Sequence, residues 1–374
     1  MRIRLLNRIL SRVMVKAASA AALSALMLTS IPALAWNETG HRIIAQIAWD
    51  ELTPSQQQFA ADLLSKHPRF AEDFEARMPG AVKALPATSP ERGRWLFAQA
   101  AAWPDMVKDE SKRLAKQIAG ATSAQQKSDL EKKLAEYKLY DNAAWHFDNK
   151  PIYLDPYALL PPPSAGSSPR PMGIQGALPK SLKELYDPSL SPEKRAVALA
   201  WVAHLLGDAH QPLHTSAIFS SKHLPQGDLG GNRIAIKLKQ QPQDPEISLH
   251  QMWDDLFGDD PTKEKSIKRA IVVAFPRKKL QQELADPDPA ATSSEESFTN
   301  LLLDESYRVA DASVYDASIR SALLALKPTG AAYPTLTVEN TYTRKARAAA
   351  TRRLALAGYR LAGCVSRAES RKTP

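Results

Sequence analysis

The sequence contains a single cysteine, Cys364, among its 374 residues. An intrachain disulfide is therefore excluded, and a chain of this size can obtain its stability from a large core and from bound metal. Internal repeats are missing, and patterns typical of β-strands are few. The predicted fold class is accordingly mainly α, with one compact multi-helix domain and a small β-hairpin.

Long hydrophobic runs are also missing. The apolar stretch from Ala17 to Leu28 is shorter than the roughly 20 residues that a membrane-spanning helix needs. It is followed by Ala33-Leu34-Ala35, a small-x-small pattern typical of peptidase cleavage, which predicts a signal peptide over residues 1–35 that is removed before Trp36. An uncleaved N-terminal anchor is the alternative. Basic residues without any acidic residue precede the apolar stretch: Arg2, Arg4, Arg8, Arg12 and Lys16.

Much of the excess positive charge of the chain lies in the predicted signal peptide. The whole chain has a formal charge of +9, and the predicted signal peptide carries five of its 49 basic residues and no acidic residue, so residues 36–374 carry +4. A net charge of +4 is no strong indication of nucleic-acid binding, although it does not exclude a local basic groove on the surface. We expect a secreted or periplasmic monomer without stable membrane association, consisting of a domain over residues 36–366 and a tail over 367–374.

Helical patterns dominate the rest of the chain. Pro212 is expected to kink or end the helix that starts at Ser191. The alternation of Ile234, Ile236 and Leu238 predicts part of a small hairpin. Surface loops are predicted at Pro79–Pro90, Pro161–Pro171 and Asp286–Ser294. The predicted helices are Gly40–Leu52, Ser55–Ser65, Glu91–Trp103, a solvated helical hairpin over Lys108–Leu139, Ser191–Asp208, Leu249–Leu256, Phe298–Tyr315 and Tyr342–Cys364.

The positions of histidine and aspartate in the sequence indicate a metal site. His204 and Asp208 are four residues apart on one predicted helix, and His250 and Asp254 repeat that spacing on another, so each pair lies on one helix face. Imidazoles and carboxylates are zinc ligands, and two such pairs suit a site held between helices. Taken alone, each pair is more often a surface or capping pair.

Further candidate ligands are His41, Asp105, His146 and His214. An isolated histidine beside tryptophan is usually a core residue, but a metal cluster would satisfy many buried imidazoles and carboxylates at once. After cleavage, the α-amine of Trp36 is a further candidate, because a metal can displace its proton near neutral pH. Three histidines are assigned to the class of ordinary core residues instead: His67, His210 and His223.

These motifs resemble the three-zinc single-strand-specific nucleases typified by the fungal nucleases P-one and S-one, a superfamily shared with the bacterial zinc phospholipases C. The resemblance spans Trp36 to about Leu256, and it implies a zinc-dependent nuclease domain. The motifs occur in the family's order: Trp36, Gly40-His41, Trp103-Pro104-Asp105, Trp145-His146-Phe147, His204-x-x-x-Asp208, Gln211-Pro212-Leu213-His214, Gly230-Gly231-Asn232 and His250-x-x-x-Asp254.

The resemblance implies three zinc ions. One would be bound by Asp105, His146, His204 and Asp208. A second would be bound by Trp36, His41 and again Asp208, which therefore bridges the pair. The third would be bound by His214, His250 and Asp254.

The resemblance also implies catalytic roles for Asp105 and Asp208. Asp105 would orient or deprotonate the attacking water at the zinc pair, and the third zinc would stabilise the leaving 3′ oxygen. Lys108 and Asn232 occupy positions that contact phosphate in the family, and Phe147 matches an aromatic on which a base stacks. The alternatives are a solvated Lys108, a core Phe147 and an Asn232 that only serves the Gly-Gly turn.

Asn149 departs from the family pattern, which often has an aspartate there that recognises the base. A carboxamide can donate and accept, whereas a carboxylate only accepts, so the resemblance does not define the base preference. Two insertions, around 111–137 and 161–171, are longer than expected.

The resulting expectation is a secreted nuclease that cleaves single-stranded DNA and RNA to 5′-nucleotides, with 3′-nucleotidase activity on nucleotides. A phospholipase C-like phosphodiesterase acting on lipid head groups is one alternative, although those enzymes place Glu where this chain has Asp254. A non-catalytic zinc or nucleic-acid binding protein is another, and it would not need Asp105.

Overall fold

The computed structural model describes residues 36–155, 172–239, 243, 245–283, 292–326 and 333–371. The predicted signal peptide and the predicted loop Pro161–Pro171 lie outside the described residues, as does most of Asp286–Ser294. Helices predominate in the described part, which confirms the mainly α fold class. None of its helices is long and apolar enough to cross a membrane.

The helices follow the predicted pattern closely at several positions. The first begins at Glu38, the second at Pro54, and the helix predicted from Ser191 begins at Pro192. The α-helices of the described residues are α1 (Glu38–Glu51), α2 (Pro54–Leu64), α3 (Gly80–Lys83), α4 (Pro90–Ala119), α5 (Ala124–Lys138), α6 (Ile174–Tyr186), α7 (Pro192–His210), α8 (Pro212–Thr215), α9 (Leu249–Asp254), α10 (Glu264–Ala274), α11 (Arg277–Glu283), α12 (Glu295–Val309), α13 (Ala317–Ala325) and α14 (Asn340–Ser370).

Shorter helical turns join these helices. Two π-helical turns span Phe70–Phe74 and Ala310–Val314. Three 3₁₀ turns span Glu75–Arg77, Ala143–His146 and Pro261–Lys263.

Helix α7 lies at the centre of the core. Its residues are buried on every face from Ala198 to His210, as expected for a helix that is apolar all round. It packs against α4, α6 and α14, while α1 packs against α4 and α14. The helix that carries His204 and Asp208 is therefore held from several sides.

The helix end predicted at Trp103 is wrong. The helix expected to end at Trp103 and the hairpin expected from Lys108 are joined, because α4 runs without a break through Pro104 to Ala119. Proline has no N–H and cannot bond the carbonyl of Ala100, yet packing of the buried segment against α1 and α7 keeps the helix continuous. Asp105 and Lys108 are consequently buried in mid-helix.

Two small sheets accompany the helices. Strand β1 (Lys150–Tyr153) pairs in parallel with β2 (Ser216–Phe219). Strand β3 (Ala235–Leu238) pairs antiparallel with β4 (Ile247–Ser248), as the predicted hairpin requires. It also pairs in parallel with β5 (Thr335–Val338), a strand that the sequence did not indicate.

Candidate metal centre

Eight buried histidine and aspartate side chains converge from α1, α4, the 3₁₀ turn before Phe147, α7, α8 and α9. Each ligand atom of a group lies within 4.8 Å of the others in that group. The three groups that could hold a metal ion are His41, His204 and Asp208; Asp105, His146 and His204; and His214, His250 and Asp254. The eight side chains that sequence reasoning singled out as candidate ligands are therefore brought together.

Asp208 lies between the first two groups. Its Oδ1 is 3.4 Å from Nε2 of His41, and its Oδ2 is 3.2 Å from Nε2 of His204 and 3.2 Å from Nδ1 of His146. Asp105 Oδ1 is 3.6 Å from the same His146 nitrogen. One carboxylate thus faces imidazoles on both sides, which is the arrangement expected of a bridging ligand.

The third group lies where α8 and α9 meet. His250 Nε2 is 3.2 Å from Oδ2 of Asp254, one helical turn later. The His214 ring lies 5.0 Å from the His250 ring, and His214 Nδ1 is 3.6 Å from Oδ1 of Asp208. The third group is therefore next to the first two.

Backbone carbonyls fix three of the imidazole rings. Nδ1 of His204 is 2.8 Å from the Ala101 carbonyl, Nδ1 of His214 is 2.6 Å from the His146 carbonyl, and Nδ1 of His250 is 2.5 Å from the Gly230 carbonyl. A carbonyl only accepts, so each Nδ1 carries the proton and each Nε2 keeps a lone pair. This is the usual way in which metal-binding histidines are oriented.

Capping side chains define where the helices that carry the candidate ligands start. The side chain of Asn37 accepts from the Gly40 N–H at the start of α1, and Ser191 accepts from Lys194 at the start of α7. Ser248 caps α9 in the same way. These contacts fix the helical registers that point His41, His204 and His250 inward.

Close packing at two glycines brings the candidate ligands together. A Cβ on Gly207 would lie 2.6 Å from Nδ1 of His41, so α1 and α7 can approach only because this side chain is missing. Gly230 has φ +62°, and a Cβ there would lie 2.3 Å from the Leu213 carbonyl oxygen. The loop that holds His250 therefore requires glycine.

The electrostatics around Asp208 favour charged carboxylates and the neutral forms of His41 and His146, whereas Asp208 and Asp105 raise the pKa of His204 despite its burial. Burial, with His204 nearby, lowers the pKa of His41 to about 4, and burial with Lys108 nearby does the same for His146. Burial opposes the charge on Asp208, but His204 and His214 outweigh it and keep its pKa well below the usual range. Neutral imidazole and ionised carboxylate are the forms that bind metal.

The pKa of Asp254 is shifted in the opposite direction from that of Asp208. Burial raises its pKa well above the usual range, and Asp105 and Asp208 add to this effect against the hydrogen bond from Gln211. A buried carboxylate of this kind is charged at neutral pH only beside a cation.

The donor atoms fit a metal cluster. Burying polar atoms without partners is costly, so a concentration of such atoms indicates a missing ligand. Among the described residues, buried side-chain nitrogen or oxygen atoms without a hydrogen-bond partner occur on His41, Asp105, His146, Asp208, His214 and Asp254.

Gln211 is a contributor to which sequence reasoning assigned no role. It is fully buried, its Nε2 donates to Asp254 Oδ1 at 2.7 Å, and its Oε1 accepts from the Leu213 N–H at 2.6 Å. The signal was present in the sequence: a polar residue directly before a proline, between two ligand-bearing segments, is placed to cap the second helix.

The predicted substrate contacts occupy different environments. Lys108 is buried and donates to Asp105, while the Phe147 side chain is 42% exposed beside His146. Asn149 is exposed. Asn232 is half-buried and donates to the Leu229 carbonyl at 2.9 Å.

Asp148 separates Phe147 from Asn149 and has a structural partner. Its Oδ2 accepts from the N–H of Gln175 at 2.8 Å, in the first turn of α6, and its own N–H donates to the His214 carbonyl at 2.6 Å. Hydrogen bonds therefore connect the segment that contains Phe147 both to α6 and to His214, a candidate ligand.

Trp36 is completely buried at the start of the described chain. Its ring packs against Phe257 at 6.3 Å, and a Cβ on Gly40 would lie 2.7 Å from its Cβ. The residue is thus held against the first turn of α1, one turn before His41.

The three histidines assigned elsewhere lie outside the metal groups. His67 is buried edge-on against Trp103, His210 is buried at the end of α7, and His223 is half-buried.

The chain is similar to known nucleases. The family model described as S1/P1 Nuclease matches residues 36–369. Endonuclease 3 of Arabidopsis thaliana is 26% identical over 241 residues, which is 63% of this chain and 59% of that protein. Endonuclease 5 of the same plant is 37% identical over 62 residues, which is 17% of each chain. The chain therefore spans about three-fifths of the length of the first relative.

Proposed function

This chain belongs to the S1/P1 nuclease family, and on that premise we propose that it is a zinc-dependent nuclease. Its substrates are single-stranded DNA and RNA, which it hydrolyses to 5′-nucleotides, and it also removes 3′-phosphate from nucleotides. The observation that carries the proposal is the convergence of eight buried His and Asp side chains in three adjacent groups.

Three zinc ions fill these groups in the proposal. Asp105, His146, His204 and Asp208 bind the first, and Trp36, His41 and Asp208 bind the second. His214, His250 and Asp254 bind the third. The position of Asp208 between His41 on one side and His146 and His204 on the other supports its role as the bridge.

Bound zinc supplies Lewis acidity, which makes water a stronger nucleophile near neutral pH and offsets negative charge on phosphate. Asp105 orients the attacking water. Its Oδ1 accepts from Lys108, whereas its buried Oδ2 has no hydrogen-bond partner among the described residues and is available to water.

Lys108 contributes positive charge to the phosphate site. Burial lowers the pKa of this amine, but Asp105 and Asp208 outweigh burial and raise it above the usual range, so the side chain stays protonated. A protonated amine beside Asp105 can bind a phosphate oxygen that approaches the same carboxylate.

Phe147 and Asn149 face the nucleobase in the proposal. An exposed aromatic ring beside a metal site can stack on a base of any identity, which is worth roughly 1–3 kcal/mol per base. The exposed Asn149 carboxamide both donates and accepts, so it tolerates more bases than a carboxylate would. Asn232 then contacts phosphate through the part of its carboxamide that Leu229 leaves free.

Export completes the site in the proposal. Removal of the signal peptide over residues 1–35 in the secreted or periplasmic protein exposes the α-amine of Trp36, which binds zinc beside His41. A protein purified with one extra residue before Trp36 is expected to lose one zinc ion and most of its activity. Native mass spectrometry of both forms measures this, and equal zinc content would remove Trp36 from the ligand set.

A substrate panel tests the function. The purified protein is incubated with single-stranded DNA, double-stranded DNA, RNA, 3′-AMP and phosphatidylcholine vesicles, each with and without a zinc chelator. We expect chelator-sensitive release of 5′-nucleotides from the single-stranded substrates. Cleavage of phosphatidylcholine with inert DNA would establish a phospholipase instead, and zinc binding without hydrolysis of any substrate would establish a binding protein.

A further inference from the structure

Gln211 connects the two helices that carry the third group of candidate ligands. It is the N-cap residue of α8, which contains His214, and its side chain reaches Asp254 at the end of α9. The residue is 0% exposed, so both of its polar atoms must find partners inside the protein.

The direction of the carboxamide is determined by the backbone. The Leu213 N–H can only donate, and it lies 2.6 Å from Oε1 of Gln211. Nε2 therefore points the other way, and it donates to Oδ1 of Asp254 at 2.7 Å.

The two carboxylate oxygens of Asp254 therefore have different neighbours. Oδ1 accepts from Gln211, while Oδ2 lies 3.2 Å from Nε2 of His250. Oδ2 is buried without a hydrogen-bond partner among the described residues. The oxygen that faces His250 is therefore the one that Gln211 does not bind.

We propose that Gln211 is a positioning residue for the third zinc ion, which aims Asp254 Oδ2 at the metal while it caps the helix that presents His214. The inference rests on the proposed function, because it requires zinc at this group. Outer hydrogen-bond partners of this kind typically contribute 10- to 100-fold to metal affinity.

The variant Gln211→Asn separates the two roles. Asparagine is a favoured N-cap residue and still accepts from the Leu213 N–H, so α8 keeps its start. It is one methylene shorter and does not reach Asp254. The matched control is Gln57→Asn, which shortens a half-buried glutamine that donates to the Trp49 and Leu52 carbonyls at the C-terminal end of α1.

Native mass spectrometry counts zinc ions in the wild-type protein and both variants, and a chromophoric chelator measures how fast each ion leaves. We expect one ion of Gln211→Asn to be held about 10- to 100-fold more weakly. The other ions should leave at the wild-type rate, and the melting temperature with excess zinc should equal that of Gln57→Asn.

Two results would overturn the inference. One is a zinc-release profile of Gln211→Asn that equals those of the wild type and the control. The other is faster loss of every ion together with a lower melting temperature, which would indicate a purely structural role. A wild-type protein that binds no zinc would refute the proposed function itself, so the two failures are distinguishable.

Discussion

The two oxygens of Asp105 have different surroundings, and this decides what the residue can do. Oδ1 accepts from Lys108, and Oδ2 faces the buried centre without a hydrogen-bond partner in the described part of the chain. The variant Asp105→Asn replaces one oxygen with a donor that cannot bind metal or accept from Lys108. We expect kcat on single-stranded DNA to fall at least about 100-fold, together with a loss of zinc.

A matched control for Asp105→Asn lies one turn later on the same helix. Asp109 is exposed and pairs with Lys112 at 3.4 Å. Asp109→Asn removes the same charge from α4 but should leave kcat and zinc content unchanged, since surface ion pairs contribute little. Equal rates for Asp105→Asn and the wild type would remove Asp105 from the catalytic machinery.

The candidate ligand residues were predictable because chemistry limits the residue types that can bind zinc. Imidazole and carboxylate pairs at a spacing of four lie on one helix face wherever the helix packs, so His204, Asp208, His250 and Asp254 could be found without the fold. Gln211 could not, because an amide has many roles and its hydrogen bond to Asp254 spans 43 residues.

Among the secondary-structure elements, the contact between α1 and α7 depends on one missing side chain. In an unconstrained helix, replacing glycine with alanine would increase the stability of the helix by about 1 kcal/mol. At Gly207 the new Cβ would meet Nδ1 of His41 at 2.6 Å, so the helices must separate or the imidazole must turn. Gly207→Ala is therefore expected to lower stability by about 1–3 kcal/mol and to release a zinc ion.

Gly80→Ala serves as the control for Gly207→Ala. An added Cβ at Gly80, in α3, meets no atom within 4 Å, so this variant should match or slightly exceed wild-type stability. Thermal unfolding and zinc content are measured for both variants. A rise in melting temperature for Gly207→Ala with full zinc content would contradict the close-packing argument.

Buried charges fasten the C-terminal end of α7 to α12 and α14. Arg353 donates to the His210 carbonyl at 3.1 Å, and both Arg353 and Arg360 pair with Glu305, at 2.9 and 2.8 Å. Burial opposes the charge on Glu305, but hydrogen bonds and attraction from Arg360 and Arg353 lower its pKa to about 2. This cluster holds the helix end two residues beyond Asp208.

The lowered pKa of Glu305 predicts a pH-dependent contribution to stability. A depressed acid stabilises the fold above its unfolded pKa of 4.5, and this contribution is lost as the pH falls toward 2. Glu305→Gln should therefore be less stable than wild type by up to about 3 kcal/mol at pH 6. The difference should narrow below pH 4.5.

Urea unfolding of wild type and Glu305→Gln between pH 3.5 and pH 6 measures this difference, and zinc loss affects both proteins equally. The control is Glu131→Gln, whose exposed carboxylate lies 3.9 Å from Lys127 on α5 and should show no such trend. A difference that stays constant across this range would show that Glu305 acts through packing rather than charge.

Local patterns predicted the helices better than the strand pairings. Capping residues and apolar spacing placed the starts of α1, α2 and α7 within two residues. The parallel pairing of β3 with β5 joins segments about 100 residues apart, and no local pattern carries that information. Continuation of α4 through Pro104 likewise depends on packing against α1 and α7, which overrides the local preference of proline.

At the scale of the whole molecule, the metal groups join segments that are distant in the chain. The candidate ligands come from α1, α4, α7, α8, α9 and the turn before Phe147, and the family match covers the same range and continues to residue 369. A ligand that binds only the folded state stabilises it by about 2.7 kcal/mol at a concentration 100 times its Kd. Zinc is therefore expected to contribute to folding as well as to catalysis.

Chelation should consequently lower the melting temperature of the whole chain in one cooperative step. Without cations, the charged carboxylates of Asp105 and Asp208 stay buried close together and repel each other, and Asp254 has to take up a proton. Calorimetry with a chelator, and again after zinc is restored, measures the change. Asp254→Asn offers a comparison, because it lacks one candidate ligand of the third group, should bind less zinc there and should therefore lose less stability on chelation than wild type. An unchanged melting temperature after complete zinc removal would mean that hydrophobic packing around α7 alone holds these helices together.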